Sequence, residues 1–356
     1  MNLNKTLGRV ATTLVAGAML TALAMPAYAT DYNPANGIKF SKTIDMTAAQ
    51  GATVPNVMYG YAINPGEAVG ATQTTPEIKA GVAGATITEN VTFASTDSIV
   101  ENKATQQVEV DFDDVHFPTA GIYRYVITET DPTVAGLATS ADDNTIYLDV
   151  YVTNGVGGRE ISYYQMVTSA AAPTGNNYDP DAKFTGDEDA YTTYTLTVTK
   201  NVEGDMADMT AKFSIDVDFT NLSNGTKVTV DDVASSAAVS NAVSVNKSLG
   251  DDEFMTITGV PANAVYSVVE NLENKAGYTV TYTYDDSEAK NATTGADEYT
   301  TVSNSNMSSA NHNVVVINTK TATAPTGIVM NVAPYVLLVV VAAAGCFVFL
   351  RKRRED

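Results

Sequence analysis

The chain has 356 residues, of which 41 are acidic and 20 are basic, and its formal net charge is −21. Such a charge excludes nucleic acid as a partner, because phosphate binding requires a positive footprint. The single cysteine, Cys346, lies in an apolar C-terminal segment, so the rest of the chain has no disulfide. Two isolated histidines, His116 and His312, give little support to a metal or histidine-based catalytic centre, and we predict no cofactor.

The N-terminus has the pattern of a secretory signal. Lys5 and Arg9 precede an apolar run over residues 10–24, which is followed by Pro26 and the small-residue tripeptide 27–29. This order predicts a signal peptide over residues 1–29, cleaved after Ala29. An uncleaved membrane anchor is the alternative, but the apolar run is short for a bilayer.

The region between the termini alternates apolar and polar residues with period two and is rich in Val, Ile, Thr and Tyr. Turn-forming Gly, Asn, Asp and Pro clusters separate the alternating runs, which is typical of strands in all-β domains. The clearest predicted strands are Gly37–Ile44, Tyr123–Thr128, Thr145–Thr153, Tyr194–Val202, Tyr278–Tyr284 and Asn313–Thr319. Nearly 300 residues of this kind predict two tandem Ig-like β-sandwich domains.

An internal repeat indicates where the two domains meet. The strand Gly37–Ile44 is echoed by Tyr194–Val202, and the stretch Pro118–Glu129 is echoed by Pro261–Glu270. Two copies of one plan, joined near Ala190, explain both echoes. The predicted domains are residues 30–190 and 191–322.

The C-terminal segment, residues 323–356, combines three features. Residues 328–350 contain no charge and are long enough to cross a bilayer as a helix. The basic cluster Arg351–Arg354 follows this run, and the tripeptide Pro325, Thr326 and Gly327 precedes it. A plain membrane anchor would explain the span and the basic cluster alone. The whole arrangement resembles a sortase sorting signal, cut between Thr and Gly, in which Ala324 replaces the usual Leu and leaves the type of sortase open.

Charged and amide side chains interrupt the apolar faces of several predicted strands. Alternate residues of a strand face the same way, and buried Lys or Glu is rare unless paired. The residues placed on apolar faces by this rule are Lys42, Lys200, Glu129, Glu270 and Asn318.

These residues resemble the self-forming isopeptide bonds of Gram-positive pilins, specifically the streptococcal-type pilin isopeptide linkage domain with its CnaB-like sandwich. The resemblance implies a bond between Lys200 and Asn318 with Glu270 as proton shuttle. In the first domain it implies Lys42 and Glu129. The expected Asn is missing there, and Asp189 occupies its place, with Asp187 as an alternative.

The chemistry implied is coherent. Burial moves a lysine toward the neutral amine and a carboxyl toward its protonated form, so that the glutamate can shuttle protons. An Asp partner would release water and an Asn partner ammonia. The alternative is that Lys42 and Lys200 form ordinary buried ion pairs or extend to the surface.

Two further predictions concern charged loops. By the same resemblance Lys183 is the acceptor amine for the next subunit, and its alternative is a solvated lysine. The acidic stretches Asp111–Asp114 and Asp179–Asp189 have no defensible calcium-loop spacing and are predicted to be solvated, without a metal.

The function predicted from these features is that of a backbone subunit in a covalent pilus on a Gram-positive cell wall. Its partners would be a pilus-type sortase and other copies of itself, with tip or basal pilins and peptidoglycan left open, and a membrane only for the precursor. A monomeric wall-anchored adhesin is the alternative. A surface enzyme is disfavoured because no nucleophile–base–orienter set is visible.

Overall fold

The structure is a computed structural model that describes residues 37–49, 51–72, 76–139, 144–168, 170, 186–272, 277–294, 298–322, 338–339 and 342. The described residues are almost entirely strands and turns, and only residues 338, 339 and 342 are helical. Within these ranges no helix has the length and apolarity needed to cross a bilayer. The predicted signal peptide and sorting segment lie almost wholly outside them.

The first half of the described chain forms two sheets that face each other. One sheet has the order β4-β6-β1-β11-β8, and the other has the order β10-β9-β7-β2-β5 with β3 paired to β7. Their facing sides enclose one apolar core, which extends from Phe40 to Tyr191. The strands are β1 Ile38–Asp45, β2 Val57–Pro65, β3 Ile78–Ala80, β4 Thr86–Ile87, β5 Asn90–Phe93, β6 Lys103–Asp111, β7 Gly121–Thr130, β8 Leu137–Ala138, β9 Thr145–Gly155, β10 Gly158–Val167 and β11 Asp187–Tyr191.

The second half repeats this plan around its own core, which extends from Leu196 to Val316. One sheet has the order β15-β14-β17-β12-β23-β19-β20, and the other has the order β16-β13-β18-β22-β21. The strands are β12 Thr193–Glu203, β13 Phe213–Thr220, β14 Thr229–Val230, β15 Val233–Ala234, β16 Val243–Leu249, β17 Glu253–Pro261, β18 Val265–Asn271, β19 Thr279–Tyr284, β20 Lys290–Asn291, β21 Thr293–Thr294, β22 Glu298–Asn306 and β23 His312–Thr319.

The first and last strands of each half are neighbours. β1 pairs in parallel with β11, and β12 pairs in parallel with β23, whereas most other pairs are antiparallel. The predicted all-β sandwich fold is confirmed, and each predicted strand falls on an observed one. Because alternate residues of β1 and β12 point into the cores, Lys42 and Lys200 are both fully buried.

The two halves meet through a short set of backbone and amide contacts. Thr193 N donates to Ala48 O at 3.2 Å, and Asn56 Nδ2 donates to Asn224 O at 2.6 Å. Only one residue, Thr192, separates β11 from β12, so the last strand of one sandwich continues almost directly into the first strand of the next.

Two buried lysine sites

The site of the second half joins its first, last and central strands. Lys200 on β12, Glu270 on β18 and Asn318 on β23 are each 0% exposed. Asn318 Nδ2 donates to Glu270 Oε1 at 2.9 Å, and Lys200 Nζ lies 3.5 Å from the same oxygen. The lysine amine also donates to the backbone carbonyl oxygens of Asn201 and Val316, at 3.0 and 3.2 Å. The three residues that the sequence predicted to act together therefore lie together.

Burial dominates the electrostatics of this site. It lowers the pKa of Lys200 from 10.5 to about 8, although the carboxylate of Glu270 opposes the shift. A substantial fraction of this amine is therefore neutral near physiological pH, and a neutral amine is the nucleophilic form. The ring of Phe213 lies under the amine, 4.8 Å from Nζ to the ring centroid, and adds to its apolar surroundings.

The site of the first half has the same strand plan but more carboxyl groups. Lys42 Nζ donates to Glu129 Oε1 at 2.6 Å and to Asp187 Oδ2, and it lies 2.9 Å from Asp189 Oδ2. The lysine is 0% exposed, and the three acids are at most 7% exposed. A fifth residue, Tyr59, donates its hydroxyl to Asp189 Oδ2 at 2.6 Å.

The extra carboxyls change how protons are held. Burial alone would lower the pKa of Lys42, but hydrogen bonds to Asp187 and Glu129 outweigh it, so the pKa is raised. Burial raises the pKa of Glu129 to about 9, and its interaction with Asp187 acts in the same direction. The amine of Lys42 is therefore an ammonium at neutral pH, and the neighbouring carboxyl of Glu129 is protonated.

Strand register relates the predicted acceptors of the two halves. Asn318 lies opposite Val202, two residues beyond Lys200. Asp189 lies opposite Ile44, two residues beyond Lys42, which is the same offset. Asp187 lies directly opposite Lys42 and corresponds in register to Val316 of the second half. Both acids weighed from the sequence contact the lysine, and register favours Asp189 as the counterpart of the asparagine.

Sequence reasoning missed the aromatic residues of these sites. Tyr59 and Phe213 each lie beneath a lysine, and their strands begin as ordinary apolar alternations. The signal that could have found Tyr59 is its place in the Val57–Tyr61 run, where a buried hydroxyl requires a partner.

Other predicted residues lie elsewhere or outside the described ranges. Ala29, Lys183, Pro325, Thr326 and Gly327 all fall outside. His116 is exposed, whereas His312 is half-buried and bonds through Nδ1 to Asp285 Oδ2 at 2.6 Å.

Three acids near the first site lie close enough together to resemble a cation site. Glu129, Asp131 and Asp189 each offer a carboxylate oxygen, and these oxygens lie within 4.8 Å of one another. The ammonium of Lys42 already contacts two of these acids and supplies positive charge there. The lysine site therefore accounts for Glu129 and Asp189 without a metal ion.

Comparisons with known proteins find similarity to two family models and to a pilin. Residues 38–185 match the family model described as "Spy0128-like isopeptide containing domain", and residues 194–320 match one described as "Domain of unknown function (DUF7601)". A protein named "Pilin" from Streptococcus pyogenes serotype M1 is 25% identical over 354 residues, which cover 96% of this chain and 98% of that protein.

Solved structures share the fold. The major pilin from Streptococcus pyogenes has a TM-score of 0.56 and 20% identity, and the match covers 81% of this chain and 100% of that chain. The T3.2 major pilin from the same species has a TM-score of 0.53 at the same identity, covering 80% and 98% of the respective chains.

Fold and buried lysine sites together define a protein of tandem sandwiches, each of which buries a lysine on its first strand, a glutamate on a strand of the facing sheet, and an acid or amide on its last strand. The chain is similar to a streptococcal pilin over nearly its whole length, and its first sandwich matches the Spy0128-like isopeptide containing domain. The resemblance noted from the sequence is confirmed.

Proposed function

We propose that this protein is a pilin, the backbone subunit of a covalent pilus on the surface of a Gram-positive bacterium, stiffened by one internal isopeptide bond in each domain. The observation that carries the proposal is a buried group of three residues: Lys200 and Asn318 lie on the paired strands β12 and β23, and Glu270 reaches them from β18 of the facing sheet. A lysine, a glutamate and an amide are costly to bury unless they are paired and hydrogen-bonded, and an amide bond between the lysine and the asparagine would remove the buried amine.

In the second domain the amine of Lys200 attacks the side-chain carbon of Asn318. The new carbon–nitrogen bond replaces the bond to the amide nitrogen, which leaves as ammonia. Glu270 contacts both nitrogens and is placed to take a proton from the amine and return one to the leaving group. The step needs no cofactor and occurs once in each molecule, so it is maturation without enzyme turnover.

In the first domain Lys42 and Asp189 form the corresponding bond, with Glu129 as the proton shuttle. The offset between Lys42 and Asp189 across the parallel pair matches that of the second domain, which supports this choice over Asp187. Since the acceptor is a carboxyl, the leaving group is water. The domains proposed are residues 30–190 and 191–322.

Strand direction explains what these bonds would do under tension. Force enters the second domain where β12 begins, at Thr193, and leaves where β23 ends, at Thr319. A bond from Lys200 to Asn318 carries this force across the parallel pair. The residues between them, which form the rest of the sandwich, then bear no load, and the same holds between Lys42 and Asp189 in the first domain.

Assembly is proposed to follow from the two terminal signals. The precursor is exported, loses residues 1–29 and is held by its C-terminal apolar segment until a pilus-type sortase cuts between Thr326 and Gly327. The carboxyl of Thr326 is then joined to Lys183 of the next copy. A monomeric adhesin attached singly to peptidoglycan remains the alternative, because it would use the same signals.

Two measurements test the proposal. The intact mass of residues 30–326 should fall below the sequence mass by one water and one ammonia, and an undiminished mass would refute both bonds. Cells should also carry a ladder of covalent multimers, which Lys183→Ala abolishes and which a control substitution of the exposed Lys227, Lys227→Ala, preserves. Only monomers on wild-type cells would favour the adhesin.

A further inference from the structure

The aromatic residue beneath each lysine occupies an equivalent position in the two domains. Tyr59 lies 4.2 Å from Lys42 Nζ to its ring centroid, and Phe213 lies 4.8 Å from Lys200 Nζ. In each domain, the residue two positions after this aromatic pairs with the domain's glutamate on the neighbouring antiparallel strand. These facing pairs are Tyr61 with Glu129 and Ile215 with Glu270.

The two aromatic residues differ only by a hydroxyl, and that hydroxyl has a specific partner. Tyr59 OH donates to Asp189 Oδ2 at 2.6 Å, in a region where Tyr59 is 0% and Asp189 1% exposed. Phe213 has no such donor, and Asn318 is instead bound through its amide nitrogen to Glu270. The hydroxyl is therefore present in the domain whose predicted acceptor is a carboxyl.

The first domain has two candidate acceptors for its lysine, whereas the second has one. Asp187 and Asp189 both contact the amine of Lys42, whereas the residue in register with Asp187 in the second domain is the apolar Val316. A reaction that joins the first and last strands in a single way requires something that distinguishes these two acids.

We propose that Tyr59 is the positioning residue that fixes Asp189 as the acceptor of Lys42. Its hydroxyl holds Oδ2 in place and stabilises the negative charge that develops on this oxygen during attack. This inference rests on the proposed isopeptide bond of the first domain.

The atoms balance without an added reactant. Transfer of one proton from the Lys42 ammonium to Oδ1 of Asp189 gives a neutral amine and a protonated carboxyl whose Oδ2 bears no hydrogen. The amine attacks the carboxyl carbon, and Oδ2, bonded to Tyr59, carries the charge of the tetrahedral intermediate. The other oxygen leaves as water with one proton from the nitrogen, which Glu129 transfers. The product is an amide, with Oδ2 as its carbonyl oxygen.

The test is a time course of bond formation in newly synthesised full-length chain, read by intact mass and by sequencing the cross-linked peptide. In Tyr59→Phe we expect bonding to Asp189 to slow by on the order of a hundredfold, the cost of losing one such donor, or to move to Asp187. Tyr125→Phe is the matched control, because it removes another buried hydroxyl of the same core, one that donates to Val82 O at 2.8 Å. Complete bonding of Tyr59→Phe to Asp189 at the wild-type rate would overturn the inference.

A second comparison separates positioning from a general contribution to packing. Asp189→Asn combined with Tyr59→Phe recreates the residue types of the second domain. Glu129 can then hold the amide through its nitrogen, as Glu270 holds Asn318, so Tyr59→Phe should slow bonding less in the Asp189→Asn background than in the wild type. An equal slowing by Tyr59→Phe in both backgrounds would refute the inference. If the wild type itself has no first-domain bond, the proposed function fails there, whatever Tyr59 does.

Discussion

Asn318 pairs across parallel strands with Val202, the residue two positions after Lys200. Asp189 has the same offset from Lys42, because it pairs with Ile44, two positions after that lysine. Because residues two apart on a strand share a face, the offset brings both reactive side chains into the core. Two parallel neighbouring strands need a long connection between them, and here that connection is the rest of the domain. The offset therefore links chemistry to topology, since a bond at this point encloses a complete sandwich.

Replacing the glutamate of the second domain tests its role as proton shuttle. Glu270→Gln keeps the shape of the side chain but cannot exchange a proton, so we expect the ammonia of the second domain to be retained while the first domain still loses water. Intact mass measures this directly. Glu288→Gln, which changes an exposed glutamate, should leave both losses unchanged. Normal loss of ammonia in Glu270→Gln would exclude Glu270 as the shuttle.

The unbonded second domain should also be less stable. Asn318→Ala leaves the chain from Lys200 to residue 318 as an open loop, and by analogy with disulfides closing such a loop contributes up to about 5 kcal/mol. Chemical denaturation of Asn318→Ala against wild type measures the difference. The exposed Asn246 gives a control, Asn246→Ala, which should cost far less. Equal stability of Asn318→Ala and wild type would argue against a covalent link.

Exchanging acid for amide identifies the acceptor of the first domain by its leaving group. Asp189→Asn should change the loss from water to ammonia, because the attacked carbon then bears an amide nitrogen. Asp187→Asn should still lose water. Intact mass distinguishes the two, and the reverse result would make Asp187 the acceptor.

The sequence alone predicted much of this arrangement, for a physical reason. Alternation in β1 and β12 placed Lys42 and Lys200 among apolar neighbours, and period-two patterns survive in strands because each face meets a different environment. The same rule found Glu129, Glu270 and Asn318. All of these are 7% exposed or less.

The remaining features depend on contacts between strands distant in sequence. No local pattern gives the register of β1 against β11, so Asp187 and Asp189 could not be separated before the fold was known. Tyr59 looked like any core aromatic, and its hydrogen bond to Asp189 spans 130 residues. Periodicity identifies which face a side chain occupies but not which partner it meets there.

Backbone geometry where the linking strands of the second domain end gives a further prediction. Gly204 follows β12 with a φ of +103°, and an added Cβ would lie 2.2 Å from Lys320 O. Gly204→Ala should therefore cost about 1–3 kcal/mol in the free energy of unfolding, because both the φ and the contact are unfavourable for alanine. Gly70→Ala is the control, since nothing lies within 4 Å of its added Cβ. Unchanged thermal stability of Gly204→Ala would contradict the close contact between residue 204 and the carbonyl oxygen of Lys320.

The last prediction concerns pH and the unbonded amine of Lys200. In Asn318→Ala this amine remains free, and burial lowers its pKa in the folded domain to about 8 from the usual 10.5. Between these values the unfolded chain binds more protons than the folded one, so the free energy of unfolding rises with pH. Below about pH 8 both states carry the charge, and the full cost of burying it is present.

Denaturation of Asn318→Ala from pH 7 to pH 10.5 measures this rise. The slope should approach 1.4 kcal/mol per pH unit, roughly that of one proton. The matched control adds Lys200→Met to the same variant, which removes the amine but retains every other titrating group, so the difference between the two belongs to Lys200. Parallel curves would mean that the amine is solvated in the folded domain, and the nucleophile proposed for the second bond would lack its activation.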